Sequence, residues 1–482
     1  MKSIINQPTS NVITNHYFPH TDKKVIMDLL EKLLVDLHSS IEGEESKIDC
    51  VSLVANIEAI ALAEMEPADL EYTTSLLFTS TSPPSLLIFL EDSSRSKDKE
   101  IIGAKKNALK FLAQFIKVMP YMVDKTGPEI FKTLLALFKK ETSGEVKSCL
   151  LLPAKNLLRN PSFGAGFETE GSELTVETVY KILLDELHQS ASKVGKGLRC
   201  EALKTLGLLV FAFPVHPATT QSITPVLTLC ENVLQQNFSK TCKDPDFSAI
   251  AGAFSCLDRC LVQFEEKYAN SVDLWKFLLQ AVMATTSSDT SRYSACNKAV
   301  RLISHHAELF AHLIGHNAST SYNLLYTMHT AGKKSMQKHS SNALYTVLRQ
   351  IAVFVVNSTT DTADAVRTVE KLYAEYMSIL VNGNSTTTTT NTNTTNTTTT
   401  NTTTSTTNTN TTTNTSDDAS TAQQQEGLML AVQGLAAIAP AVVTLFNTNT
   451  NSGGNTSGAG TMLHIVLLLQ FFFYMQSAWC NL

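Results

Sequence analysis

Ala202-Leu203-Lys204-Thr205-Leu206 and, 51 residues on, Ala253-Phe254-Ser255-Cys256-Leu257 share one device: an alanine, a bulky apolar neighbour and an aliphatic residue four positions after the alanine. The same device stands at Ala108-Leu109…Leu112, Ala299-Val300…Ile303 and Ala343-Leu344…Val347, with a degraded copy at Ala154…Leu157-Leu158. From Ala108 onward the successive alanines lie 46, 48, 51, 46 and 44 residues apart. Stacked helical hairpins of the HEAT and armadillo kind repeat at roughly 40–47 residues, because one hairpin cannot bury its own apolar face without a neighbour. The small residue has a packing role: it lets two helices approach closely while the flanking aliphatic fills the groove. The spacing predicts an all-α solenoid.

Working outward, the hairpins are expected at Ala104–Val118 with Glu129–Lys139, Leu150–Leu158 with Val176–Leu187, and Leu198–Phe213 with Ile223–Leu234. Ile250–Phe264 then pairs with Val272–Val282, and a single helix from Tyr293 to Ile314 with Tyr322–His329. Pro120, Gly144, Pro161, Gly171, Pro214 and Pro217 read as punctuation, removing a donor or supplying unusual dihedrals. Upstream, Asp22 caps an apolar stripe through Leu37, a second helix covers 48–62, and Pro67 opens a third at the first helical position. No window alternates with period two, so no sheet is expected.

The next copy, Ala431-Val432…Leu435, lies 88 residues after Ala343, and the 44 residues from Asn382 to Gln425 between them are almost wholly Thr, Asn, Ser and Gln. Without that tract the interval is again 44, so the tract reads as an insertion in one array. Its composition offers too little apolar surface to offset ordering entropy, and disorder is expected. The organisation that follows is a disordered N-terminus at 1–20, helical repeats over 21–381, the Thr/Asn insertion at 382–425 and resumed repeat at 426–446. An Asn/Gly/Thr linker at 447–461 and an apolar segment at 462–482 complete it. The apolar run of that last segment is shorter than the roughly 20 residues of a spanning helix and is interrupted by His464 and Gln470, which favours a repeat helix over a membrane anchor.

Composition narrows the function classes. The 482 residues are 43% apolar and 17% charged with a net charge of −6, so any nucleic-acid contact must be a local stripe and not a global basic excess. The nine cysteines include Cys200, Cys230, Cys256 and Cys296, set singly in apolar helical segments. That pattern fits reduced core thiols of a cytosolic or nuclear protein better than a disulfide framework. The polar start of the chain, with Asn6, Asn11 and Asn15, is unlike a secretory leader.

Catalytic chemistry finds no foothold. Gly195-Lys196-Gly197 lacks the upstream glycine and hydroxyl of a phosphate loop, Gly164-Ala165-Gly166 follows no strand, and the protein-kinase signatures are absent. Cys256-x-x-x-Cys260 and His312-x-x-x-His316 have ligand-like spacing but no second pair, so buried thiols and surface imidazoles are the expected reading and no metal or cofactor is assigned. The cations are more suggestive. Lys105, Lys106 and Lys110 fall in one signature helix, Lys196, Arg199 and Lys204 in another, Lys298 and Arg301 in a third, and Lys333, Lys334 and Lys338 open a fourth. Recurrence at the repeat period would stack them into a stripe able to hold a phosphate backbone.

Several runs in order carry a resemblance: Ser75-Leu76-Leu77-Phe78, Leu86-Leu87-Ile88-Phe89, Leu109-Lys110-Phe111-Leu112, Pro153-Ala154, Leu206-Gly207-Leu208-Leu209, Ala251-Gly252 and Ala431-Val432-Gln433-Gly434-Leu435. Over about Glu71 to Phe446 the chain resembles the N-terminal HEAT-repeat region of DNA-dependent protein kinase catalytic subunits. The resemblance implies a fragment or repeat-only relative without the kinase domain, with no catalytic residue to carry over. It further implies a nuclear scaffold of non-homologous end joining, whose partners are double-stranded DNA ends and the Ku heterodimer. A generic HEAT adaptor, cytoplasmic or nuclear and without nucleic acid, is the alternative; both classes would bind other proteins through solenoid surfaces.

Overall fold

The computed structural model describes residues 67–79, 85–91, 99–118, 126–160, 175–188, 195–262, 270–284, 290–331, 334–358, 361–382 and 416–451, with isolated positions at 31, 35, 81, 163 and 268. Every regular element among them is a helix. In chain order these are α1 Pro67–Phe78, α2 Leu86–Glu91, α3 Lys99–Val118, α4 Gly127–Lys140, α5 Gly144–Leu158, α6 Val176–His188, α7 Lys196–Ala212 and α8 Pro217–Phe238. There follow α9 Phe247–Leu261, α10 Val272–Met283, α11 Thr290–His305, α12 Ala311–His316, α13 Ala318–Ala331, α14 Lys334–Asn357, α15 Ala363–Asn382 and α16 Ser416–Asn451. The expected helices before Pro67 and the apolar segment at 462–482 lie outside the described residues.

The chain divides into two compact units, the first comprising Met1–Asn237 with Cys242–Gln263 and the second Phe238–Thr241 with Phe264–Leu482. In the first unit, α3, α5, α7 and α9 pack each on the next as one row. These are the helices that carry Ala108, Ala154, Ala202 and Ala253, each at most 1% exposed. A second row holds α4, α6 and α8; α4 packs on α5 and α6 on α7, and the Tyr180 and Thr219 hydroxyls, 3.2 Å apart, link α6 to α8. In the second unit the signature helices α11, α14 and α16 again form a row, with α14 against both neighbours and Ala299, Ala343 and Ala431 fully buried. Their partners are α10, α13 and α15. The fold is an all-α array of stacked hairpins.

Local chemistry sets the helix starts. Ser143 Oγ accepts from the Val146 amide, Asp246 Oδ1 from the Ala249 amide at 3.0 Å and Ser271 Oγ from the Leu274 amide at 3.3 Å, each satisfying a donor that the first helical turn leaves open. Pro67 does open α1, and Pro217 opens α8 instead of closing α7; a proline at that position loses no hydrogen bond.

Several boundaries differ from the sequence expectation: α5 begins at Gly144 and α8 at Pro217, each six residues before the expected start. The segment expected as one helix from Tyr293 to Ile314 is broken at His306–Phe310 into α11 and α12. The break turns Phe310 inward, fully buried, with its ring 5.4 Å from that of Trp275. The resumed repeat helix begins at Ser416, ten residues before the start expected at 426, and runs on to Asn451, into the first residues of the expected linker. Within α16, Glu426–Leu445 is long and apolar enough to cross a membrane by length and composition. Ala431, Leu435, Ile438, Ala441 and Val442 are nevertheless buried, and the helix packs on α14 and α15.

Candidate nucleic-acid interface

Three lysines of the first unit, Lys106, Lys155 and Lys196, have acidic partners one repeat away, and Lys147 and Lys204 have partners within their own hairpin or helix. Lys106 of α3 pairs with Glu145 at the start of α5. This contact raises the Lys106 pKa and lowers that of Glu145, the hydrogen bond being the largest cause in both. Lys147 of α5 meets Glu186 of α6 at 2.6 Å. Lys155 of α5 pairs with Glu201 of α7, and Lys204 bonds the other oxygen of that carboxylate at 2.8 Å. Lys196 lies 3.4 Å from Asp244 in the turn before α9, both side chains well exposed. Periodic lysines in this unit thus tie neighbouring repeats together.

Lys105 must be withdrawn from the sequence-derived candidates. It is 4% exposed, and its ammonium donates to the Leu90 carbonyl at 3.1 Å, tying α3 to α2. So deeply buried a side chain offers its ammonium no open face to a solvent-borne phosphate. Lys110 is exposed on α3, and Arg199 is half-buried on α7.

The second unit gathers its cations. α11 and α14 are adjacent in the signature row. Lys298, Arg301 and His305 recur on α11 at spacings of three and four, the spacing of one helical face. Lys338 and His339 lie in the first turns of α14. The half-buried His339 imidazole is held below its ordinary pKa of 6.5, first by burial and then by Arg301, His305, Lys338 and Lys298. Five protonatable side chains from two neighbouring helices therefore share one electrostatic neighbourhood. Lys334 opens α14, and Lys333 lies outside the described residues. His305 and His339 were not among the sequence candidates. The signal was available for His305, one turn beyond Arg301, but His339 is found only once α14 is laid beside α11.

The sites with ligand-like spacing resolve differently. Cys256 and Cys260 are buried in α9. A hydrogen bond with Cys230 and burial hold the Cys256 thiol well above its ordinary pKa, and contact with Cys256 and burial do the same for Cys260. His312 and His316 are exposed on α12 with their Nε2 atoms 2.9 Å apart. Among the described residues no group of three or more His, Cys, Asp or Glu side chains is arranged to hold a metal ion.

Rows of packed signature helices with partner helices beside them define the class: a helical-repeat protein. Sequence comparison gives the family. The profile described as "DNA-PKcs, N-terminal" matches residues 71–392, and the chain belongs to that family. It is 22% identical over 350 residues, 69% of its own length, to the DNA-dependent protein kinase catalytic subunit of Dictyostelium discoideum. It spans 8% of the length of that relative.

Proposed function

We propose that this chain is a scaffold for double-stranded DNA ends in break repair by non-homologous end joining, working in the nucleus and in company with a Ku-type heterodimer. The relative's name supports the kinase setting, and the α11/α14 cluster supports the DNA contact. Lys298, Arg301 and Lys338 supply charge to a phosphate backbone, and His339, held neutral by burial and its cationic neighbours, gains charge as an anion approaches. Such contacts hold register and orientation without reading sequence. Catalysis on the DNA or on proteins is assigned to no residue of this chain.

The observation that carries the reading is the packing of α11 against α14, which sets Lys298, Arg301 and His305 of one helix beside Lys338 and His339 of the other. Anisotropy of a labelled blunt duplex at roughly 50 and 200 mM salt tests it, since neutralising several phosphates makes binding fall steeply with salt. The expected result is salt-sensitive binding that the combined Lys298→Gln, Arg301→Gln and Lys338→Gln variant weakens and whose salt slope it flattens. Equal binding by the variant and the native chain removes the DNA role from this patch. Competition by linear but not circular DNA separates end binding from backbone binding.

A second reading, an adaptor that binds proteins alone, is favoured by the first unit, where Lys105, Lys106 and Lys196 are engaged with partners inside the fold. It predicts no salt-sensitive duplex binding at the lower salt concentration.

A further inference from the structure

We infer that His312 and His316 form a two-imidazole clamp for a tetragonal divalent transition metal, Cu(II) or Ni(II). The two residues are one turn apart on α12, both exposed, with ring centroids 4.2 Å apart and Nε2 facing Nε2 at 2.9 Å. In the absence of metal, one Nε2–H donates to the other ring's lone pair. When each ring carries its proton on Nδ1, both Nε2 lone pairs point into the same gap. A metal–nitrogen bond is about 2.0–2.1 Å, and a 2.9 Å bite then corresponds to an N–metal–N angle of about 90°. That is the cis angle of tetragonal Cu(II) or Ni(II) and narrower than the tetrahedral angle that zinc favours. Cu(II) also stands highest in the general affinity order of first-row divalent ions.

The rings are placed by the fold. Gly315 lies between them on α12, and a Cβ there would collide with the ring of Phe354 from α14. The bare backbone of Gly315 therefore lets Phe354, 8% exposed, wedge beneath α12. Both imidazoles stand edge-on to that ring, with centroids 5.8 Å away for His312 and 5.2 Å for His316. A ligand pair held by its neighbours loses less conformational freedom on binding than two free side chains. The protein supplies two nitrogens, and water or an incoming ligand completes the coordination, so the bound ion stays exchangeable.

The test uses the full chain without an affinity tag, titrated with CuCl2, NiCl2 or ZnSO4 and followed by calorimetry, with electron paramagnetic resonance for the copper form. The inference expects one Cu(II) site whose spectrum shows equatorial nitrogen ligation, weaker binding of Ni(II), and Zn(II) weaker still. His312→Ala and His316→Ala should each weaken copper at least tenfold, while His188→Ala, at an exposed histidine of α6, leaves it unchanged. Circular dichroism of each variant verifies folding, and added Cu(II) should raise the melting temperature of the native chain but not of the double variant. Copper binding of the same affinity and spectrum in a folded double variant overturns the inference. So does zinc bound more tightly than copper at this pair.

Discussion

Gly207 of α7 lies so close to α9 that a Cβ on it would stand 2.8 Å from the Cα of Cys256. The approach is reciprocal: a Cβ on Gly252 of α9 would stand 2.9 Å from the carbonyl oxygen of Cys200 and 3.0 Å from its Cα. Residues earlier on α7 meet residues earlier on α9, so the two helices run parallel as successive members of one row. Both glycines fall in runs that carried the family resemblance. Their physical basis is backbone against backbone.

Gly207→Ala and Gly252→Ala should each therefore destabilise the chain by about 1–3 kcal/mol, since real Cβ atoms do not sit at such distances from a neighbouring backbone and the helices must part. Gly103→Ala is the contrasting case: in α3 nothing lies within 4 Å of the added Cβ. A gain of about 0.5–1 kcal/mol is expected there from helix propensity alone. Urea unfolding followed by circular dichroism reads both.

Glu201 bridges Lys155 and Lys204, and the Lys155 side chain is 8% exposed. Glu201→Gln removes the charge that compensates a buried ammonium, and a loss of about 3 kcal/mol is expected. Replacing the pair together, Lys155→Met with Glu201→Leu, should cost much less than the single change. Lys196→Ala, which breaks the exposed tie to Asp244, should cost under about 1 kcal/mol. Equal losses at Lys196 and Glu201 would contradict the distinction.

The pH dependence has a definite sign at His339. Its folded pKa lies below the unfolded value of 6.5. As pH falls below 6.5 the unfolded chain takes up the proton more readily than the folded one, so stability present above that pH is lost towards the folded pKa. His339→Gln should remove that part of the acid loss. Lys298→Gln should move the histidine pKa upward, as should a bound polyanion, and proton NMR titration of the ring C–H signal reports both.

Thiol reactivity should be ordered by burial and pKa. Cys242 is the half-exposed cysteine among those described, whereas Cys149, Cys200, Cys230, Cys256, Cys260 and Cys296 are buried. Burial pushes the Cys296 thiol up to about 12. In a chain with Cys50 and Cys480 replaced by Ser, a disulfide reagent should modify Cys242 under native conditions. Cys256 and Cys260 should react only on unfolding, because the thiolate is the attacking species.

The alanine signature was legible because it answers a geometric demand that repeats along the row: a small side chain where neighbouring helices cross, with an aliphatic one turn later. Burial of Ala108, Ala202, Ala253, Ala299 and Ala343 follows from that pattern alone. The break between α11 and α12 was not legible. No proline or glycine marks it, and the burial of Phe310 against Trp275, which comes from a different helix, turns the chain. The lysines show a related gap. Lys106 and Lys155 recur at the period, but the acids that neutralise them, Glu145 and Glu201, lie 39 and 46 residues downstream. A basic stripe and a set of cross-repeat ties look alike until the helices are stacked. His339 became visible for the same reason, since its electrostatic neighbours stand mostly on another helix.

The bare contact of α7 with α9 also bears on how such an array yields under load. Repeats joined through leucine side chains can slide a little as rotamers readjust, much as a cushioned joint gives. Gly207 and Gly252 leave no cushion at this joint, so neither helix can rotate or shift without one main chain running into the other. Under bending, this step acts as a stiff link, and the compliance of the first unit is carried by its other junctions.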